Sequence, residues 1–185
     1  MSFISLNKNQ PDFYKFRFLA RAVPKENYAD SRYKLDAIHV KDGVGAGTDT
    51  ARLHVCDLEG EYPDGFYRIV SNTRSKVELL KLEDDEGHKF PDYSLVFHQD
   101  RGPEIKVEIH YVEESDRRAI GCRFADLMRR LPDHVYIDFA FFQDAVAGVG
   151  EINARYYAPE EAKKHHGPVL FENHDHYAAV MPLRF

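Results

Sequence analysis

The sequence predicts an α+β protein in which antiparallel sheet dominates and helices are few. Three observations carry this. Strand-like runs recur along most of the 185 residues. Two segments show clear helical periodicity. The order of elements in the first half, strand, helix and then several strands, is repeated in the second, so that a duplicated βαβββ unit describes the chain. With each helix covering one face of an antiparallel sheet, the class is α+β.

The strand candidates are alternating or aromatic-rich: "SFISL", "YKLDAIHV", "ARLHVC", "FYRIV", "KVELLKL", "YSLVF", "IKVEIHYV", "VYIDFAFF", "INARYY" and "YAAVMPLRF". Turn chemistry separates them at "KDGVGAG", "YPDG" and "DRGP", where Gly or Pro stands beside Asp, Lys or Arg. The first helix follows Pro11 and Asp12, runs "FYKFRFLARAV" and stops before Pro24. The second is "CRFADLMRRL", closed by Pro132, and "APEEAKK" reads as a short helical turn within a loop. The two halves divide near residue 98, giving 1–98, a βαβββ unit with extra strands, and 99–185. Together they read as one compact domain.

At 100° per residue, Phe13, Phe16, Leu19, Ala20 and Val23 share one side of the first helix, leaving Arg17, Arg21 and Lys25 as a basic stripe. In the second, Phe124, Leu127, Met128 and Leu131 are apolar, with Arg123 and Arg130 on a flank and Arg129 outside. A protein of formal charge −6 thus concentrates cations on its helices. Such a surface suits phosphates, to which each cation adds a salt-dependent, sequence-independent attraction. The competing reading is the ordinary charged outer face of an amphipathic helix.

Three motifs resemble the bacterial DNA polymerase III beta subunit, the sliding clamp. The ending "AAVMPLRF" is similar to that family's V-V-M-P-M-R-L, with Met181, Pro182 and Arg184 matching and Leu183 and Phe185 conservative changes. "GTDTARLHV" resembles A-T-D-G-H-R-L-A through Thr48, Asp49, Arg52 and Leu53, with Thr50 and Ala51 in place of Gly-His. "FPDYSLV" resembles F-P-D-Y-R-R-V, departing at Ser94 and Leu95. The chain is shorter than a clamp subunit, so it resembles a divergent and shortened form.

The resemblance implies a DNA-clamp fold and a non-catalytic processivity factor whose helices face duplex DNA without regard to sequence. Arg17, Arg21, Lys25, Arg123, Arg129 and Arg130 would then face DNA. It also implies a pocket for short peptides of a DNA polymerase or another clamp client, formed by Thr48, Arg52, Leu53, Pro91, Val96, Val180, Met181, Pro182, Leu183 and Arg184. Self-association is raised by the resemblance, although the sequence establishes no ring. An alternative is a clamp-fold interaction module that never encircles DNA.

No cofactor motif is present. "GVGAGTD" lacks the Lys-Ser/Thr of a phosphate loop and reads as a β turn, and "EDDEG" reads as a solvated turn. His165, His166, His174 and His176 raise a third alternative, a His-dependent metal protein, but their spacing matches no zinc motif and the expectation is no metal. No catalytic signature is recognisable. Cys56 and Cys122 read as buried free thiols, consistent with a cytoplasmic location. No apolar run reaches the roughly 18 residues of a membrane span, and "MSFISLNKNQ" does not read as a signal peptide.

Overall fold

The computed structural model describes residues 3–24, 33–83, 88–97, 104–111, 113–147, 149–157 and 167–183. The chain divides into two compact units, Met1–Asp92 and Tyr93–Phe185.

The first unit runs β1 (Phe3–Asn7), α1 (Phe13–Arg21), β2 (Ile38–Lys41), β3 (Val44–Thr48), β4 (Arg52–Asp57), β5 (Gly65–Asn72) and β6 (Lys76–Lys81). Its strands pair antiparallel in the order β1-β6-β5-β2-β3-β4. The apolar positions expected on α1 are all buried, and so are Lys15, Phe18 and Ala22. The helix is therefore sunk into the unit on most of its circumference rather than laid across it.

That depth is set by β3. A Cβ on Gly47 would come 2.7 Å from the Leu19 carbonyl oxygen and 3.1 Å from Val23 Cγ2, and one on Gly45 would collide with Leu19 Cδ1. Two glycines on one face of the strand let the helix backbone touch the sheet. Local chemistry predicts a turn over this whole segment. In fact only Asp42 and Gly43 turn, both at positive φ (52° and 78°), as a two-residue hairpin requires, and Val44–Thr48 is a strand.

Asp12 fixes the start of α1 from below. Its buried carboxylate accepts hydrogen bonds from Glu59 N (2.9 Å), Gly60 N (2.8 Å) and the Tyr62 hydroxyl (3.0 Å). Lys15 reaches Glu59 at 3.1 Å beside it. At the other end the His54 ring stacks on Phe18, and its Nδ1–H donates to the Phe18 carbonyl at 2.7 Å. This satisfies one of the carbonyls a helix C-terminus leaves over.

The second unit runs α2 (Ser94–Phe97), β7 (Glu104–Ile109), α3 (Arg117–Arg130), α4 (Phe139–Val146), β8 (Ile152–Tyr157), β9 (Val169–Glu172) and β10 (His176–Val180). Its strands pair antiparallel in the order β10-β9-β8-β7. Strand β8 alternates cleanly, burying Ile152, Ala154 and Tyr156. The βαβββ plan is present in both units, with two extra strands in the first and two extra helices, α2 and α4, in the second.

Several expectations need correction here. "VYIDFAFF" is not a strand: Asp138 accepts from Ala140 N (2.7 Å) and Phe141 N (3.4 Å), capping a helix that buries Phe142, Ala145 and Val146 at helical spacing. "YSLVF" forms the short helix α2. Helix α3 begins earlier than Cys122, capped by Asp116 through Ala119 N (2.9 Å); Gly121, a weak helix former, disguises its first turn. Strand β10 stops at Val180, before Met181, Pro182 and Leu183. Cys122 is exposed, whereas Cys56 is buried, and both are free thiols. Residues 158–164, expected as a helical turn, lie outside the described residues, as do residues 84–87. An aromatic chain, Phe124 to Phe142 at 5.2 Å and Phe142 to Phe171 at 5.8 Å, ties α3 through α4 to β9.

Replacing Gly47 by Ala will destabilise the protein by about 1–3 kcal/mol, because the helix backbone cannot yield. Gly45→Ala will cost less, since Leu19 can change rotamer; urea unfolding of both variants checks the order. Stability will also fall in alkali. Burial, and then the neighbouring Asp12 carboxylate, raise the Tyr62 phenol well above its ordinary value of 10.0. The folded state therefore holds this proton more tightly than the unfolded chain. Its contribution is complete below pH 10 and declines as pH rises beyond it. Tyr62→Phe will flatten that decline, leaving a residual slope from Tyr67 and Tyr156, which burial also raises.

Candidate peptide and nucleic-acid surfaces

The β3–β4 turn is built by its own side chains. Thr48 Oγ1 donates to the Arg52 carbonyl at 2.7 Å and accepts from Thr50 N at 3.2 Å. Asp49 Oδ1 accepts from Ala51 N and Arg52 N at 3.1 and 2.9 Å, while Asp49 Oδ2 holds Arg52 Nε at 2.9 Å. Thr48 and Leu53 are buried, and the Arg52 side chain is 14% exposed, pinned along the turn. The matched Thr, Asp and Arg are thus the residues that shape this turn.

Thr50 carries the strain. Its φ of 75° is left-handed, a region that β-branched residues rarely enter, and it stands where the resembled motif has glycine.

Pro91 is half-buried in the first unit, and Val96 is half-buried on α2 in the second. Val180 is fully buried at the end of β10; Met181 and Pro182 are half-buried, and Leu183 is 42% exposed. Leu183 N donates to the Tyr136 carbonyl at 2.7 Å, which seats this segment beside the approach to α4. Arg184 lies outside the described residues. The expected peptide residues therefore fall into two groups. Thr48, Arg52 and Leu53 sit together on the β3–β4 turn, and Val180 to Leu183 run on from β10. Sequence reasoning misses Tyr136 and Phe139, both exposed large hydrophobics; Phe139 is hidden in a segment that reads as a strand.

The two basic helices differ. On α1, Arg17 and Arg21 are half-buried, and the Arg17 guanidinium lies over the Phe13 ring at 5.7 Å; Lys25 lies outside the described residues. On α3, Arg117, Arg118, Arg123, Arg129 and Arg130 are all exposed. Asp126, the one acid within the helix, pairs with Arg129 (3.2 Å) and Arg130 (3.6 Å). Among the described residues no carboxylate pairs with Arg117, Arg118 or Arg123. Arg117 and Arg118 escape sequence reasoning, because they belong to the first turn that Gly121 disguises.

Of the histidines singled out in the sequence, two are among the described residues, and neither belongs to a group of three potential metal ligands. His174 is in the turn before β10 and exposed, whereas His176 is buried with Nδ1 2.7 Å from Asp175. His165 and His166 lie outside the described residues.

This arrangement, helices laid on antiparallel strands in βαβββ units, defines an α+β protein of the DNA-clamp fold. Solved structures that share it include beta subunits of DNA polymerase III, the bacterial sliding clamp. The Pseudomonas aeruginosa subunit is 18% identical, with a TM-score of 0.52, covering 100% of this chain and 67% of that one. The Borrelia burgdorferi subunit is 11% identical at a TM-score of 0.56, with 100% and 65% covered. The Helicobacter pylori clamp, solved bound to a DNA ligase peptide, is 14% identical at 0.54, with 98% and 66% covered. The chain thus spans about two thirds of the length of the clamps that it matches. No protein-family model matches the sequence, and no curated protein matches it. The likeness establishes the fold. No helix among the described residues is long and apolar enough to cross a membrane.

Thr50→Gly will stabilise the protein by about 1 kcal/mol by removing the cost of a left-handed L-residue, seen as a rise in thermal midpoint without change in the circular dichroism spectrum.

Proposed function

We propose that this chain is a non-catalytic DNA-clamp-type accessory factor that holds duplex DNA without sequence preference. The observation that carries this reading is the placement of the α3 arginines. A helix N-terminus bears partial positive charge, so Arg117 and Arg118 in the first turn cost about 0.3–1 kcal/mol each where an acid would contribute. Helix stability gives no reason for them. An anionic partner does, and phosphate is the anion that a row of exposed guanidinium groups suits.

A partner peptide is assigned to the second functional surface. Leu183, Met181 and Pro182 offer an apolar strip with an adaptable Met, beside exposed Tyr136, whose carbonyl accepts from Leu183 N. The Helicobacter pylori clamp carries a DNA ligase peptide; peptides of a polymerase or another DNA-processing enzyme are the class proposed here. Of the other residues that the resemblance implies for peptide binding, Thr48, Arg52, Leu53 and Pro91 belong to the first unit and Val96, Val180 and Arg184 to the second. Self-association of the chain and a cytoplasmic site of action belong to the same reading.

The competing reading, a clamp-fold interaction module that does not encircle DNA, draws on one observation: Arg17 and Arg21 are half-buried, so the outward cationic surface is concentrated on α3. Fluorescence anisotropy with a labelled duplex separates the two. The wild-type chain will bind DNA with strong salt dependence. Arg118→Glu with Arg123→Glu will weaken binding at least tenfold and lower the log–log salt slope by about 2, roughly 0.9 for each phosphate no longer neutralised. Absence of salt-sensitive binding, or unaltered binding by the double variant, would overturn the DNA assignment and leave the interaction module.

A further inference from the structure

The end of β7 and the start of β8 bring together three side chains that the clamp-type reading does not use. Glu108 and His110 stand two residues apart, Glu108 on β7 and His110 just beyond it, so they project from the same face. Glu151 immediately precedes β8, whose Ile152 and Asn153 register with Ile109 and Glu108. One ligand atom from each of the three lies within 4.8 Å of the others, and His110 Nδ1 is 3.5 Å from Glu151 Oε1. Glu108 and Glu151 border a cleft of about 470 Å³, whose wall they share with Glu172 and His174.

We propose that Glu108, His110 and Glu151 form a zinc site. Imidazole nitrogen with two carboxylate oxygens is a ligand set that Zn²⁺ accepts, with water completing the tetrahedron. The imidazole distinguishes it from the all-oxygen sets of Mg²⁺ and Ca²⁺. The geometry needs little adjustment. The three side chains are exposed, so rotamer changes close the remaining distance without disturbing the packing beneath them. Glu172 is not a ligand, because Arg155 holds it at 2.7 Å. The backbone under Glu151 is fixed: Asn173 Nδ2 donates to the carbonyls of Val149 (3.2 Å) and Glu151 (3.3 Å). Gly150, at φ 96°, supplies a turn that another residue would strain.

The position also gives the metal a mechanical consequence. Glu108 and His110 precede, and Glu151 follows, the whole stretch that carries α3 and α4. A bound ion would pin both ends of that excursion, favouring the closed arrangement over the unfolded chain.

Isothermal titration of the full, untagged chain with ZnCl₂, paired with thermal unfolding, tests the proposal. Expected are one saturable zinc per chain and a raised thermal midpoint. His110→Ala and Glu151→Gln should each weaken zinc at least tenfold while leaving the metal-free midpoint unchanged, because both side chains are exposed. His174→Ala should bind as wild type. No saturable zinc binding, undiminished binding by His110→Ala, loss of binding in His174→Ala, or displacement of zinc by equimolar Mg²⁺ would each overturn it.

Discussion

The first unit depends on how closely α1 approaches β3. Helices usually pack on sheets through side chains, but here Gly47 lets a strand meet the Leu19 carbonyl directly. Once the helix lies that deep, water is excluded from most of its surface, and every polar group it carries inward needs a partner. The Asp12 network, the Lys15–Glu59 pair and the His54 bond to Phe18 follow from that requirement. Each takes a helix or loop group that water can no longer reach and returns a bond to it. The same depth leaves the α1 cations little outward surface, which is why Arg17 rests its guanidinium over Phe13.

This close approach also explains which parts of the fold can be read from the residues. Strand periodicity locates β1, β4, β5, β6, β7 and β8, and the α1 core positions are legible because Phe13, Phe16 and Leu19 repeat at helical spacing. Strand β3 is not legible, since its glycines signal a turn locally and acquire their meaning only from a helix distant in sequence. Helix α4 escapes for a related reason: Phe139, Phe141 and Phe142 favour a strand by propensity, and Asp138 outweighs them as a cap. Long-range packing and capping override local preference in both cases.

The candidate surfaces are legible to a different degree. The matched Thr48, Asp49 and Arg52 hold one another in a turn, so the motif is first of all a structural device. That Thr50 adopts a left-handed backbone shows the turn shape being kept with a β-branched residue where the resembled motif has glycine. A turn kept at such a cost constrains how Leu53 and the rest of β4 are presented, which links the strain to the proposed peptide surface. Tyr136 and Phe139 carry no readable signal, because their exposure depends on where α4 begins.

Charge distribution separates the two helices in a way that counting cations does not. Arg21 lies in the last turn of α1, where the helix dipole favours a cation, so its presence has a sufficient structural cause. On α3, Arg129 and Arg130 share that cause and pair with Asp126 besides. Arg117 and Arg118 have the opposite relation to the dipole, and Arg123 lies mid-helix with no carboxylate paired to it among the described residues. For these three described cations of α3, neither the helix dipole nor an ion pair supplies a folding reason. Their cost is small against the stability of a domain, yet it falls on an exposed helix that buries Ile120 and Leu127 deeply and little else. A helix so lightly anchored gains from every favourable charge it could have had. That it carries unfavourable ones instead is the physical argument for an anion on its outer face.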